Sequence, residues 1–288
     1  MKFQGQRINP KRFHRSQIKF YLILVPFASL MLLPIIFIFS HAFKPINELF
    51  AFPPRFLVRR PTLANFNDLF RIADTSGIPF SRYLLNSLAV TVAGVFLTLA
   101  FTALAAYGLS KLKFRGKQLL FEINTVALMF VPVAVAIPRY FIIARMGLID
   151  NFMAHILPVI VMPVALFLLK QFIDQTPNEL IESAKIDGAS EMQIFVKIIM
   201  PLIVPALATV GVLSFQVIWN DSVTSATFFD DESKRTLAFY LLSLTGIQGP
   251  QGQGVAAAGA LLLFIPNLII FIILQSKVMN TMAYSGIK

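Results

Sequence analysis

The sequence contains no cysteine. Disulfides and thiolate metal sites are therefore excluded, while the compartment stays open. Histidine is scarce as well. His14, His41 and His155 form no HxxxH or HExxH pair that would hold a metal. Charged residues make up only 14%, and 14 acids stand against 25 Lys and Arg. No stretch matches GxxxxGK[ST], so no P-loop is available to cradle ATP phosphates. No Ser/His, paired-Asp or HExxH constellation of an intramembrane enzyme is present either. No apolar run carries the central Asp, Glu or Lys series of an ion-coupled carrier.

What remains is hydrophobic. Of 288 residues, 57% are apolar, and the mean hydropathy is +0.73. A soluble domain of this length is not so apolar. Several runs near the length of a bilayer crossing, separated by basic connectors, predict an all-α polytopic membrane protein with six transmembrane helices. The net charge of +11 then marks the cytoplasmic side of a bilayer and not a nucleic-acid partner.

Residues 1–19 carry six Lys or Arg and no acid, which predicts a cytoplasmic tail. Residues 20–42 form the first span. Their apolar run is longer than the core of a signal peptide, so an uncleaved span is favoured over cleavage near Ser40-His41-Ala42. Residues 43–82 read as an extracytoplasmic loop, extended at Pro53-Pro54 and Pro61, with short helix around Leu63–Ile72. The remaining five spans occupy residues 83–274: Tyr83–Leu109, Leu119–Ile143, Ala154–Leu169, Leu202–Trp219 and Val255–Leu274. Residues 275–288 form a second cytoplasmic tail. The small residues of the second span predict close helix packing. Prolines in the third and fourth spans predict kinks around a pathway. Glu122 and Arg139 sit near the two ends of the third span, where the first can be interfacial and the second can snorkel; each is also a candidate for a substrate or gating role. No ligand box stands out in the second large outer loop, Ser222 to Gly254.

The one long polar segment with an interpretable pattern is residues 176–201. Thr176, Pro177 and Glu179 predict a capped helix start, with Thr176 and Glu179 as the capping box and Pro177 in the first turn. Leu180, Ile181 and Ala184 predict one apolar face. Gly188 sits where a left-handed exit is needed. Ser190 and Gln193 repeat the capping box and open a second short helix with a stripe of Phe195, Ile198 and Ile199. Two capped helices joined at one Gly make a rigid knob. The local pattern alone also fits an ordinary interfacial loop.

Glu182-Ser183-Ala184, Asp187-Gly188-Ala189, Ile198 and Met200-Pro201 resemble the Glu-Ala-Ala signature loop of ABC-importer permeases, with Ser183 and Met200 as mild departures. The Asp-Gly-Ala form and Trp219-Asn220 resemble the maltose-type carbohydrate branch of that binding-protein-dependent family. The resemblance implies a type I ABC-importer permease fold and a cytoplasmic coupling loop at 176–201. ATPase contacts would fall to Glu182, Ala184, Asp187, Gly188 and Ala189. The implied partners are a second, heterologous permease subunit, an ABC ATPase dimer that binds ATP and Mg, and an extracytoplasmic solute-binding protein. The chain itself would be no enzyme and would carry no cofactor. It would sit in a bacterial or archaeal cell (inner) membrane, multi-pass, with both termini cytoplasmic. Asn124, Gln216, Trp219 and Asn220 are the candidate substrate-pathway residues: aromatic faces suit sugar rings, and amides suit hydroxyl pairs. Trp219 alone reads first as an anchor in the aromatic belt, with the pathway role the minority reading. Two other functions compete, an ion-coupled secondary carrier and a non-transporting membrane scaffold.

Overall fold

A computed structural model describes residues 17–247 and 249–285. Most of the basic tail, residues 1–16, and the last three residues lie outside the described part. All regular structure among the described residues is helical. Internal contacts divide the chain into two compact units.

The first unit takes in the chain up to Leu69 and the segment Ile247–Leu261. Its main element is α1 (Ile18–Ala42), a 25-residue helix that exposes nearly every apolar side chain. At 1.5 Å per residue it is long enough for a hydrocarbon core of about 30 Å, which explains why its outward face is apolar. The loop that follows is less extended than its prolines predict. A short α2 (Ile46–Leu49) opens it. Glu48 accepts the backbone N–H groups of Arg59 and Arg60 at 3.0 and 2.9 Å, folding the loop back on itself. Ser40 Oγ donates to Phe56 O, and Lys44 Nζ donates to Arg55 O. The loop ends in α3 (Ala64–Thr75), close to the helix expected there. Asn65 Nδ2, on its first turn, donates to Ala42 O and Lys44 O at 2.9 Å each and satisfies carbonyls that α1 leaves open. A Cβ at Gly254 would run into this same Asn65 amide, which is why that position has no side chain.

The second unit, Phe70–Gly246 with the chain from Leu262 on, is organised around α4 (Phe80–Lys111), 32 residues long. The close packing expected of its small residues is present. Ala103 and Ala106 are fully buried, and a Cβ at Gly94 would stand 2.9 Å from Ile218 Cδ1. The third span departs from a single helix. It comprises α5 (Lys117–Ala127), a 3₁₀ turn at Pro132–Val135 and α6 (Ala136–Arg145), and its two arms meet at 112°. The fourth is α7 (Met153–Ile160) and α8 (Pro163–Asp174), bent by 40°. Both breaks have the same cause. Val131 and Met162 precede prolines, and both are forced into extended backbone. Pro163 has no N–H to offer Val159 O, and Thr98 Oγ1 donates to that carbonyl instead at 3.0 Å; Asn124 Nδ2 donates to Pro163 O, in the first turn of α8, at 3.2 Å.

After α8 come α9 (Asn178–Ile186), α10 (Glu191–Ile194), one π turn at Phe195–Ile199 and α11 (Met200–Leu202). The second short helix of the knob is thus the start of a helical run to Leu202. That run meets α12 (Val204–Trp219) at 79°. The second outer loop, in which no motif stood out, is largely helical: α13 (Val223–Phe228), a 3₁₀ turn and α14 (Leu237–Ser243). It folds back onto α4. Asn86 Nδ2 donates to Ser233 O and Arg235 O, Ser87 Oγ accepts the Leu237 N–H, and Tyr83 stacks on Tyr240 with centroids 4.6 Å apart. The last helix, α15 (Pro250–Ser285), runs unbroken through Pro266. By length and composition, α1, α4 and α15 are each able to cross a membrane, and the three bent pairs raise the number of candidate spans to six.

Candidate functional site

The knob forms two opposite faces. Ile181, Ile194, Phe195 and Ile199 are buried in one core with Tyr107 on α4 and Leu169 on α8, and Ala184 and Ala189 pack against it. Leu180, expected on this face, points away and is 45% exposed. The helical step accounts for the difference: adjacent residues stand about 100° apart, so with Ile181 turned into the core Leu180 falls at the edge of that face, although it is at i,i+4 spacing from Ala184. Outward, the knob shows the side chains of Glu182 and Asp187, which make no bond within the described residues. Beside them stand Ile186, 86% exposed, and exposed Met192. The outer face of the knob thus carries exposed apolar side chains beside two carboxylates.

The stiffness is visible in the backbone. Gly188 takes φ +81°. Its N–H donates to Lys185 O at 3.0 Å, and the Ala189 N–H donates to Ala184 O at 2.9 Å. This pair of bonds is the Schellman ending of a helix. Two residues on, Ser190 and Gln193 form the expected capping box: each side chain accepts from the other residue's N–H, at 3.3 and 2.8 Å. The cap expected at Thr176 does not form. The helix begins at Asn178, Pro177 is its extended N-cap, and no side chain caps it. Pro177 in that position has taken the place the Thr176 side chain would have needed.

A second feature lies where the helix breaks converge. A cavity of about 560 Å³ is walled by Pro132 and Val133, by Pro158 and Pro163, and by Val217 and Ile218 of α12. Its volume lies in the range of small-molecule sites. Its charged groups are Arg139, which has no partner among the described residues, and Asp221. Asp221 Oδ1 accepts the N–H groups of Val223 and Thr224 at 3.0 and 3.1 Å, so the carboxylate is held in place by the first turn of α13. Ser214 and Thr224 add hydroxyls. Non-helical backbone at membrane depth is tolerated where it lines a cavity, which is what the two broken spans do here.

The four pathway candidates divide. Gln216 and Asn220 are exposed on one face of α12. Asn220 and Asn267 exchange amide hydrogen bonds at 3.2 and 3.5 Å, which brings Asn267, read from the sequence only as part of a possible kink, to this face. Asn124 is buried and spends its amide on Pro163 O. Trp219 is only 3% exposed, so it is no lipid-facing belt anchor. It stacks on Phe215 at 5.8 Å, donates from Nε1 to Leu263 O at 3.1 Å, and lines a separate apolar cavity of about 380 Å³. Asp221 was visible in the sequence only as a residue at the end of a span. Its place beside Arg139 depends on the 112° turn of the third span, which no local pattern encodes.

Comparison with known proteins follows the same lines. The family described as "Binding-protein-dependent transport system inner membrane component" matches residues 20–276. The trehalose transport system permease protein SugB of Mycobacterium tuberculosis is 30% identical over 260 residues, covering 89% of this chain and 92% of that one. The galactooligosaccharides transport system permease protein GanQ of Bacillus subtilis is 31% identical over 274 residues, with 93% and 94% covered. A bacterial ABC transporter involved in the import of the acidic polysaccharide alginate superposes with a TM-score of 0.78 at 24% identity, over 93% of this chain and 99% of its own. A crystal structure of a bacterial alginate ABC transporter in complex with an alginate pentasaccharide-bound periplasmic protein gives a TM-score of 0.60 at 17% identity, over 90% and 93%. These two structures share the fold.

Proposed function

Since the chain belongs to the family of binding-protein-dependent transport-system inner membrane components, we propose that it is the permease subunit of an ATP-driven importer for a sugar or oligosaccharide, driven through the knob at 176–201. The observation that carries this reading is the knob. It is sealed at its Gly188 turn by backbone bonds and at Ser190 by a capping box, it is seated on α4 and α8, and it offers Glu182, Asp187 and Ile186 outward. A stiff element with an unpartnered outer face is suited to receive force from another subunit.

The chain lacks a P-loop, so the energy comes from separate subunits that bind ATP and Mg. Closure of an ATPase dimer beneath the membrane would displace the knob and tilt the attached spans between inward-open and outward-open states. Glu182 and Asp187 make the polar contacts, while Ala184, Gly188 and Ala189 let the knob seat closely. A second, heterologous permease subunit completes the path, and an extracytoplasmic solute-binding protein delivers the solute. The sugar class is supported by the relatives, which include trehalose and galactooligosaccharide transport permeases. The cavity of Arg139 and Asp221 is the place for solute within this chain, with Gln216 and Asn220 on the adjoining face. The knob and both termini face the cytoplasm.

The test is a cross-link. Ile186→Cys, in the assembled transporter, should yield an adduct with a nucleotide-hydrolysing subunit, and Asp230→Cys in the second outer loop should not. Absence of that adduct, together with solute uptake driven by a proton or sodium gradient through this chain alone, would favour an ion-coupled carrier.

A further inference from the structure

The end of α4 reaches the knob on both sides of its Gly188 turn. Lys111 Nζ donates to Thr176 O at 2.7 Å and to Asn178 Oδ1 at 2.9 Å, at the entry to α9. Tyr107 lies one turn earlier, at i to i+4 spacing, on the same face of the helix. Its hydroxyl donates to Glu191 Oε2 at 2.6 Å, just beyond the Gly188 turn. Glu191 Oε1 in turn pairs with Lys185 Nζ at 2.6 Å, which ties α9 to α10 across that turn. The Lys185–Glu191 pair is half exposed and contributes little by itself. The Tyr107 bond differs. Tyr107 is 5% exposed, its ring packs on Phe195 with centroids 5.4 Å apart, and its donor meets a charged acceptor.

Apolar packing alone would also hold the knob against α4. It resists separation, but it is non-directional and does not fix register along the helix. Hydrogen bonds at two points do. We propose that Tyr107 and Lys111 are positioning residues, fastening the knob to α4 at two points, one on each side of the Gly188 turn, so that a push on the knob tilts the span instead of being absorbed at that turn. The consequence for transport rests on the docking reading of the knob; the geometry does not.

The experiment uses the assembled transporter in lipid nanodiscs. Because the chain has no cysteine, nitroxides are introduced at Ile186→Cys on the knob and Leu104→Cys on an exposed face of α4, with the complex lacking both substitutions as background. Pulsed EPR reads the distance distribution between them, and a parallel assay reads solute carried per ATP hydrolysed. Tyr107→Phe with Lys111→Gln should broaden the distribution and lower the transport-to-hydrolysis ratio roughly tenfold, while hydrolysis continues. Tyr107→Phe alone keeps the ring on Phe195 and removes only the hydroxyl, so it reports even if the double variant misfolds; it should give the same changes in smaller measure. Lys111→Arg, which retains a donor at the knob's entry, should restore the narrow distribution when it replaces Lys111→Gln. An unchanged distribution in both variants, or a broadened one with the ratio intact, overturns the proposal. A broadened distribution with no Ile186→Cys adduct to an ATPase would remove the docking reading and leave the fastening in place.

Discussion

At the scale of single residues, the demand at Gly188 is conformational. No atom lies within 4 Å of where its Cβ would stand, yet φ is +81°. A side chain there costs about 1–2 kcal/mol, less for Asn, whose short amide tolerates the left-handed region. Gly188→Ala should therefore loosen the knob more than Gly188→Asn. Gly188→Asp should insert into membranes normally and lose both uptake and coupled hydrolysis. Amide exchange across residues 183–193 checks the order; an Ala variant as protected as the parent would mean the turn is not held left-handed. The charged pair of the cavity calls for a different experiment. Asp221→Asn retains an oxygen able to accept from Val223 and Thr224, since Asn caps as well as Asp, so it removes charge without unmaking α13. That variant and Arg139→Gln should each lower uptake by about tenfold, the scale of one charged hydrogen bond, and leave the Ile186→Cys adduct intact. Trp219→Phe should instead keep uptake and cost about 1 kcal/mol of stability through the lost bond to Leu263 O. Uptake assays beside thermal unfolding of the purified complex separate the two patterns.

At the scale of elements, the caps were the most legible feature of the chain. Ser190 with Gln193 and the glycine at 188 are local devices, and local devices are written in adjacent residues. Ser190→Ala should cost about 1 kcal/mol and lower amide protection over residues 191–199. Leu180 and Thr176 show where such reading stops. A one-residue shift in the helix start moved Pro177 into the cap, and the choice of Ile181 over its neighbour Leu180 for the buried face was settled by packing against α4 and α8. The prolines of the third and fourth spans announced breaks, but a proline sets only the backbone of its neighbour. The angles of 112° and 40° come from what the separated arms then pack against. Apart from the helix expected around Leu63–Ile72, the outer loops were illegible for the same reason. Glu48 meets Arg59 and Arg60 across a ten-residue gap with no periodic signal. That contact carries a pH dependence. The Arg59 N–H first, and then the Arg60 N–H with nearby basic side chains, hold the Glu48 carboxyl below its ordinary 4.5. A depressed carboxylate stabilises fully above the ordinary value and loses that contribution as pH falls through the lower, folded one. Exchange at the Arg59 and Arg60 amides, corrected for its intrinsic pH dependence, should stay flat from neutrality to about 4.5 and rise only below it. Glu48→Ala should show the raised rate at every pH.

At the scale of the whole molecule, the open question is which side of the membrane the knob occupies. Composition speaks through Lys and Arg. The short connector of Lys111, Lys113, Arg115 and Lys117 and the basic first tail are dense, and the longer loops assigned outside are sparse. The structure contributes a parity argument. If each bent pair is one span, α4, the third, fourth and fifth spans and α15 alternate direction, and the Gly188 turn of the knob, between the fourth and fifth, falls on the same side as that connector. If the 112° bend instead makes the third span a re-entrant element that returns to its own side, the parity changes and the knob moves across. The two topologies are separated by labelling. Ile186→Cys at the knob tip and Asp230→Cys in the second outer loop are both exposed, and the chain offers no other thiol. In intact cells a membrane-impermeant maleimide should modify Asp230→Cys and spare Ile186→Cys until the membrane is opened. Labelling of both from outside would place the knob beyond the reach of any cytoplasmic ATPase, and a coupling role for Glu182, Asp187 and Gly188 would have no partner to act on.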